Sequence, residues 1–394
     1  MVGGLPTTAK RVAPRLALYA PLRSFVNAKE GHYSSSSPDA FSSLVEWLQQ
    51  KHNNNNPAQR SNSGRLVFSG VEASLRDLGA DGVEREESAH RIQEYGLELL
   101  VNLDVYGNAN IQTNPPAMAG SLVESFENQL AAISNLGDVV THVNCRTFVT
   151  SNKGSSPDTW DDERKMDYFL QVLPLSATFL EDHPHIGRNG NETDIMGGSP
   201  DHLTGISHET TIATNGLHHP DATRYILEVI PPLRLTMDLL SWQRACGYAW
   251  GSSNDDDDDD NEAETLSIEI APHIDLIRTN TSLFSTCRSN SKTSATQGSN
   301  DDEIDSVNYD HYLRTHQSLW EYVWTRKANR GVEQLFVTLD DDCDAMVAGK
   351  GPRHLSRDGS HGKESRAKQL LDSAHRIHRF YDEWLSNSRF DAES

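Results

Sequence analysis

Positive charge is scarce in this chain. Its 35 lysines and arginines stand against 57 aspartates and glutamates, a formal net charge of −22 over 394 residues. Like charge repels a nucleic-acid backbone or an anionic membrane, so neither is expected as a partner. Cysteine is also sparse. Cys145, Cys246, Cys287 and Cys343 are too few and too scattered for a disulfide framework, and none forms a C-x-x-C pair. A reducing, cytoplasmic setting is the expectation. Long apolar runs are missing too: nothing approaches the roughly 20 residues of a membrane span, and residues 1–23 lack the apolar stretch of a signal peptide. What these absences leave open is a small-molecule substrate or a metal cation; oligomeric state is not legible.

What the chain does contain is an alternation of apolar runs and helical spacing. Eight runs read as strands, at 15–22, 65–73, 97–106, 139–146, 202–211, 233–238, 274–281 and 334–339. Helical segments fall between them at 39–51, 86–95, 121–135, 160–182 and 222–230. Gly96 and Gly137 sit where left-handed helix caps would stop two of these segments. Strands apolar on both faces, alternating with helices, imply a parallel sheet, and eight such units close into an α/β fold of the TIM-barrel type, (β/α)8. We expect a flexible N-terminus over 1–14, one barrel over 15–349, and over 350–394 a linker with a C-terminal helix packed on the barrel. Three low-complexity stretches near 53–63, 252–263 and 289–305 read as disordered surface insertions. The aspartates at 255–260 lack the alternate ligands, central Gly and terminal Glu of a calcium loop, so a solvated linker is the simpler reading. The last segment carries an apolar helical stripe of Leu370, Leu371, Ala374, Ile377, Phe380, Tyr381 and Trp384.

In a parallel barrel the carboxyl ends of the strands share one pocket. Those ends deliver Glu72, then Asn102 with Asp104, His142 with Asn144, His208 with Glu209, Asp238, Arg278 with Asn280, and the acidic run from Asp340 to Asp342. Carboxylates converging on one pocket repel each other unless a cation compensates, so either a divalent metal or a buried arginine is implied. Cys145, inside an apolar strand, reads as an inert thiol. The pairs His218/His219 and His375/His378 read as surface residues, and Trp320 with Trp324 as core.

The run Gly205-Ile206-Ser207-His208-Glu209-Thr210, the step to Leu235-Thr236-Met237-Asp238-Leu239-Leu240-Ser241-Trp242, and the segment 271–278 together resemble the xylose isomerase-like TIM-barrel family of sugar (phosphate) isomerases and epimerases. His316, Trp320 and Trp324 resemble a His and two tryptophans found in a subgroup of it. The resemblance covers roughly residues 15 to 345. It implies one divalent cation held by a Glu ending strand five, an Asp opening an Asp-x-x-His motif, a His ending strand seven and a Glu ending strand eight. Here those positions hold Glu209, Asp238, Arg278 and Asp340, with Ser241 in place of the motif's His and 211–214 in place of the subgroup's His-Arg-Gly-Arg.

Two expectations follow. In the first, Glu209, Asp238 and Asp340 hold Mg or Mn through oxygen alone. Glu209 and Asp340, with His208, then transfer a proton beside the carbonyl of a polyhydroxylated or keto-acid substrate, and His142, Asn144, Arg278 and Glu72 bind it. In the second, Arg278 pairs with Glu209 or Asp238, replaces the ion's charge, and leaves a metal-free barrel that binds or regulates.

Overall fold

The computed structural model describes residues 14–22, 67–105, 119–146, 162–187, 205–209, 220–238, 269–280, 319–329, 334–340 and 361–388. The expected helix at 39–51, the three low-complexity stretches, Ser241, His316 and the His218/His219 pair lie outside them, as do Cys246, Cys287 and Cys343.

Eight parallel strands close a barrel in chain order: β1 (Arg15–Pro21), β2 (Gly70–Ser74), β3 (Glu98–Asp104), β4 (Val140–Arg146), β5 (Ile206–Glu209), β6 (Leu235–Asp238), β7 (Ile274–Asn280) and β8 (Gln334–Asp340). The seam closes where β1 pairs with β8, Tyr19 opposite Thr338. Helices α1 (Leu75–Leu78), α2 (Gly82–Glu94), α3 (Ala119–Ser134), α4 (Asp162–Asp182) and α5 (Pro220–Val229) follow their strands, and α6 (His361–Asn387) comes last. Local chemistry sets several of these boundaries. Ser74 closes a capping box with Asp77 at the start of α1, and Asp81 accepts from the Glu84 N–H at 2.9 Å to open α2. Gly96 and Gly137 take φ of +69° and +74°, the left-handed conformation that ends α2 and follows α3. Strand two begins at Gly70, later than its apolar pattern implies, since residues 67–69 approach the sheet as bends.

Alternation along each strand divides the core in two. Outward residues such as Leu18, Val71, Val101, Val143 and Met237 pack against the helices in one large cluster. Inside the barrel, Ala17, Tyr19, Leu100, Leu276 and Phe336 form a separate apolar plug near the amino ends of the strands. Trp320 and Trp324, in the helical segment 319–329, are buried with rings 5.1 Å apart, and Trp324 packs on Phe380, Tyr381 and Trp384 of α6. Tyr381 donates to the Pro14 carbonyl. His378 is a correction to the surface reading: it is half-buried and its Nε2 donates to the Val67 carbonyl at 2.7 Å, so it ties α6 to the approach to β2. Among the described residues no helix is long and apolar enough to cross a membrane.

Candidate functional site

Above the apolar plug the barrel interior turns polar, because each strand places its next inward residue on the same axis. Arg278 of β7 is the hub. Its Nη1 donates to Glu209 Oε1 of β5 at 2.6 Å, and its Nη2 donates to Glu72 Oε1 of β2 and, at 3.3 Å, to Asn102 Oδ1 of β3. A second guanidinium joins from β4: Arg146 Nε donates to Glu209 Oε1 at 2.9 Å, and its Nη2 lies 3.9 Å from Glu72. Asn102 donates to Glu72 at 2.5 Å, and Thr338 of β8 donates to the other Glu72 oxygen. Asn144 donates to Asn102 Oδ1 at 2.7 Å and to Glu209 Oε1 at 2.9 Å.

Below Asn144 the network continues downward. Thr236 of β6 donates to Asn144 Oδ1 at 2.7 Å, Ser207 of β5 lies 2.6 Å from Thr236, and His142 Nε2 lies 2.8 Å from Ser207. Every one of these residues except Arg146 is buried; the Arg146 side chain is 20% exposed.

Among the described ion pairs of this network, two carboxylates meet two guanidiniums, the pairing that buried charges require. Burial pushes the Glu72 carboxyl upward. The Arg278 and Arg146 charges, with hydrogen bonds from Thr338 and Asn102, outweigh it and hold the group below its ordinary value. Burial lowers His142 to about 4 against a small opposing pull from Asp275, so this imidazole is neutral.

The sequence-derived site residues fall in different places. Glu72, Asn144, Glu209 and Arg278 meet in one network. His142 is fully buried beneath it, its ring 4.9 Å from Phe336, rather than at the carboxyl ends of the strands. His208 does not enter the interior at all. Its neighbours Ser207 and Glu209 point inward, so alternation turns it outward between Phe126 of α3 and Phe169 of α4, with ring centroids at 6.3 and 5.1 Å. Burial there lowers it to about 3. Turned outward between Phe126 and Phe169, the imidazole does not face the interior pocket, which corrects its catalytic assignment. Asp238 is partly buried at the end of β6, in register with Arg278. Asp340 ends β8 in register with Asn280, and its side chain lies outside the described set. Cys145 also turns outward into the apolar layer, its thiol pushed up by burial and then by the Glu209 charge.

Arg146, Ser207, Thr236 and Thr338 were not singled out from the sequence. Arg146 had a signal, a lone cation closing a strand of the run Val143-Asn144-Cys145-Arg146. The three hydroxyls had none, since Ser and Thr within apolar strands are ordinary.

The donor set also tests the divalent cation that the family resemblance implies. Three donors, two of them guanidinium groups, already converge on Glu209 Oε1. A cation there would lose the oxygen's lone pairs and face two positive charges at close range, so Glu209 Oε1 beside Arg278 and Arg146 does not fit one. Among the described residues no three His, Cys, Asp or Glu side chains are grouped to hold a metal.

No family model matches this chain, and no curated protein matches it in sequence. Solved structures do match in fold. L-ribulose 3-epimerase superposes with a TM-score of 0.52 at 10% identity, covering 96% of this chain and 98% of that one. D-allulose 3-epimerase from Methylomonas sp., in complex with D-allulose, gives 0.49 at 11%, covering 94% and 98%. A xylose isomerase-like TIM barrel protein from Mycobacterium smegmatis, in complex with magnesium, gives 0.46 at 9%, covering 91% and 98%. The likeness is one of fold: the chain is a (β/α)8 barrel, divergent in sequence.

Proposed function

We propose that this protein binds a small polyhydroxylated or keto-acid molecule at the carboxyl end of its barrel, and that Arg278 supplies the positive charge for which related barrels use a divalent cation. The observation that carries this reading is the Arg278 guanidinium seated between Glu72 and Glu209. A guanidinium has a fixed charge and a planar set of donors, so it can hold two carboxylates apart and orient them without exchangeable ions. Arg146, at the exposed edge of the same cluster, is the group positioned to meet a ligand carboxylate or hydroxyl first. Cytoplasmic location and a metal-free state belong to the same reading.

The test is elemental analysis of the purified protein, followed by thermal shift with Mg, Mn, Co and Zn, and then with ketohexoses, pentuloses and 2-keto acids. We expect no stoichiometric metal, no stabilisation by any of the four ions, and stabilisation by at least one organic ligand that Arg146→Ala removes. One bound ion per chain, lost in a Glu209→Gln, Asp238→Asn double variant, would overturn the reading.

A second reading is catalysis at the same mouth. Glu209 and Asp340 would exchange a proton beside a carbonyl while Arg278 stabilises the enediolate charge. What favours it is that β5 and β8 end in these two acids at the carboxyl end of the barrel. Deuterium exchange into a ketose from D2O, abolished in Glu209→Gln, is the expected signature. Absence of exchange across the ligands that bind would leave a binding protein.

A further inference from the structure

His142 has a role that neither ligand contact nor acid-base chemistry describes. The hydrogen bonds running from Glu209 to His142 have a direction, set by which atoms can donate. Glu209 Oε1 takes two guanidinium donors and the Asn144 amino group, so it acts as a carboxylate acceptor. Asn102 presents its oxygen to Asn144, because Arg278 also donates to that oxygen. Both neighbours therefore demand the Asn144 amino group, which turns Asn144 Oδ1 toward Thr236. An amide oxygen only accepts, so the Thr236 hydroxyl must donate upward. With its one proton spent, Thr236 accepts from Ser207. Ser207, its own proton spent in turn, accepts from His142 Nε2. The ring proton is thereby assigned to Nε2, and Nδ1 keeps its lone pair. Nδ1 is buried with no hydrogen-bond partner among the described residues, beside a ring packed on Phe336. A proton on Nδ1 would have no hydrogen-bond acceptor among the described residues.

We propose that His142 is a positioning residue whose Nε2 proton starts a one-way chain, through Ser207 and Thr236, that holds the Asn144 carboxamide with its amino group facing Glu209. The chain spans β4, β5 and β6, and it ends on the oxygen that Arg278 and Arg146 share. Chains of this kind are cooperative, since each bond polarises the next. Its service to a ligand at the mouth rests on the reading given above; the chain itself does not.

The experiment is nitrogen-resolved NMR of the ligand-free full chain with labelled histidine and asparagine. At pH 7 His142 is expected as the neutral Nε2–H tautomer in the unaltered protein, which no misfolded variant can obscure. The Nδ1–H tautomer or an imidazolium would overturn the proposal. The Asn144 carboxamide signals are expected to shift in His142→Phe, which keeps the ring and removes the donor, and to return toward their original positions in His142→Gln, which restores an amino donor. Asn144 signals unmoved in His142→Phe, or moved equally in both variants, would overturn the coupling and leave His142 as packing. Because no ligand is used, a failure of every sugar and keto acid to bind would bear on the proposed function and not on this chain.

Discussion

Arg278→Met keeps an unbranched stem at the hub and removes the guanidinium with its charge. The change leaves Glu72 and Glu209, both nearly inaccessible to water, with Arg146 as their remaining guanidinium partner. Removing one partner of a buried ion pair costs about 3–5 kcal/mol, because the other charge stays buried without compensation. Against a total stability of roughly 5–15 kcal/mol for a typical domain, that is a large fraction. The pH dependence provides a sharper check. In the unaltered protein Glu72 is held below its ordinary value, so its contribution is present at neutral pH and is lost as pH falls through the lowered value. In Arg278→Met the burial effect is left less opposed, the Glu72 carboxyl rises, and acid protonates it in the folded state, which relieves the variant. The stability gap between the two proteins is therefore widest near pH 7 and narrows toward pH 5. Urea denaturation at both pH values measures it. Pairing Arg278→Met with Glu72→Gln recovers at least about 1 kcal/mol relative to additivity, as contacting residues do in double-mutant cycles. A gap below about 1 kcal/mol at pH 7, where breaking a buried pair should cost several, or one unchanged by pH, would refute the electrostatic account of the hub.

Arg278→His exchanges the resident cation for a possible metal ligand beside Glu209 and Asp238, and is expected to gain stabilisation by Mn or Co in a thermal-shift titration that the parent protein lacks. Lys327→Met strands Asp275, which Lys327 meets at 2.9 Å in a buried pair, and is expected to cost about 3–5 kcal/mol in urea, most of it restored in a Lys327→Met, Asp275→Asn double variant. His142 and His208 titrate at about 4 and about 3 in the folded protein. The unfolded chain therefore takes up these protons first, below about 6.5, and stability falls with acid by about 1.4 kcal/mol per pH unit for each histidine. His208→Phe is expected to remove about half of that histidine-derived slope between pH 6 and 5, read from denaturation midpoints.

Much of the architecture was legible before any coordinates. Apolar runs and helical spacing placed all eight strands within a few residues, and the positive-φ glycines Gly96 and Gly137 were identified from position alone. The arginine at the strand-seven position already raised the question of whether charge or metal holds the acids together. Which acids meet it was not legible. Glu72 lies 206 positions from Arg278 in the chain, and no periodicity within β2 or β7 pairs them.

By itself, then, the sequence determined the strand-helix repeat, the absence of a membrane-crossing run, and the supply of Glu72, Glu209 and Arg278 to strand ends. The tertiary structure decided which of those residues face one another. It sent Ser207 and Glu209 inward and His208 outward, joined Arg146 to the cluster, and placed His142 under Asn144 rather than at the mouth. The physical reason is that a parallel barrel strand is buried on both faces. A strand such as β5 offers Ser207, His208 and Glu209 in succession, polar residues for both faces, and only pairing with its neighbours, Asn144 opposite Ser207 and Thr236 opposite Glu209, decides which of them face the interior.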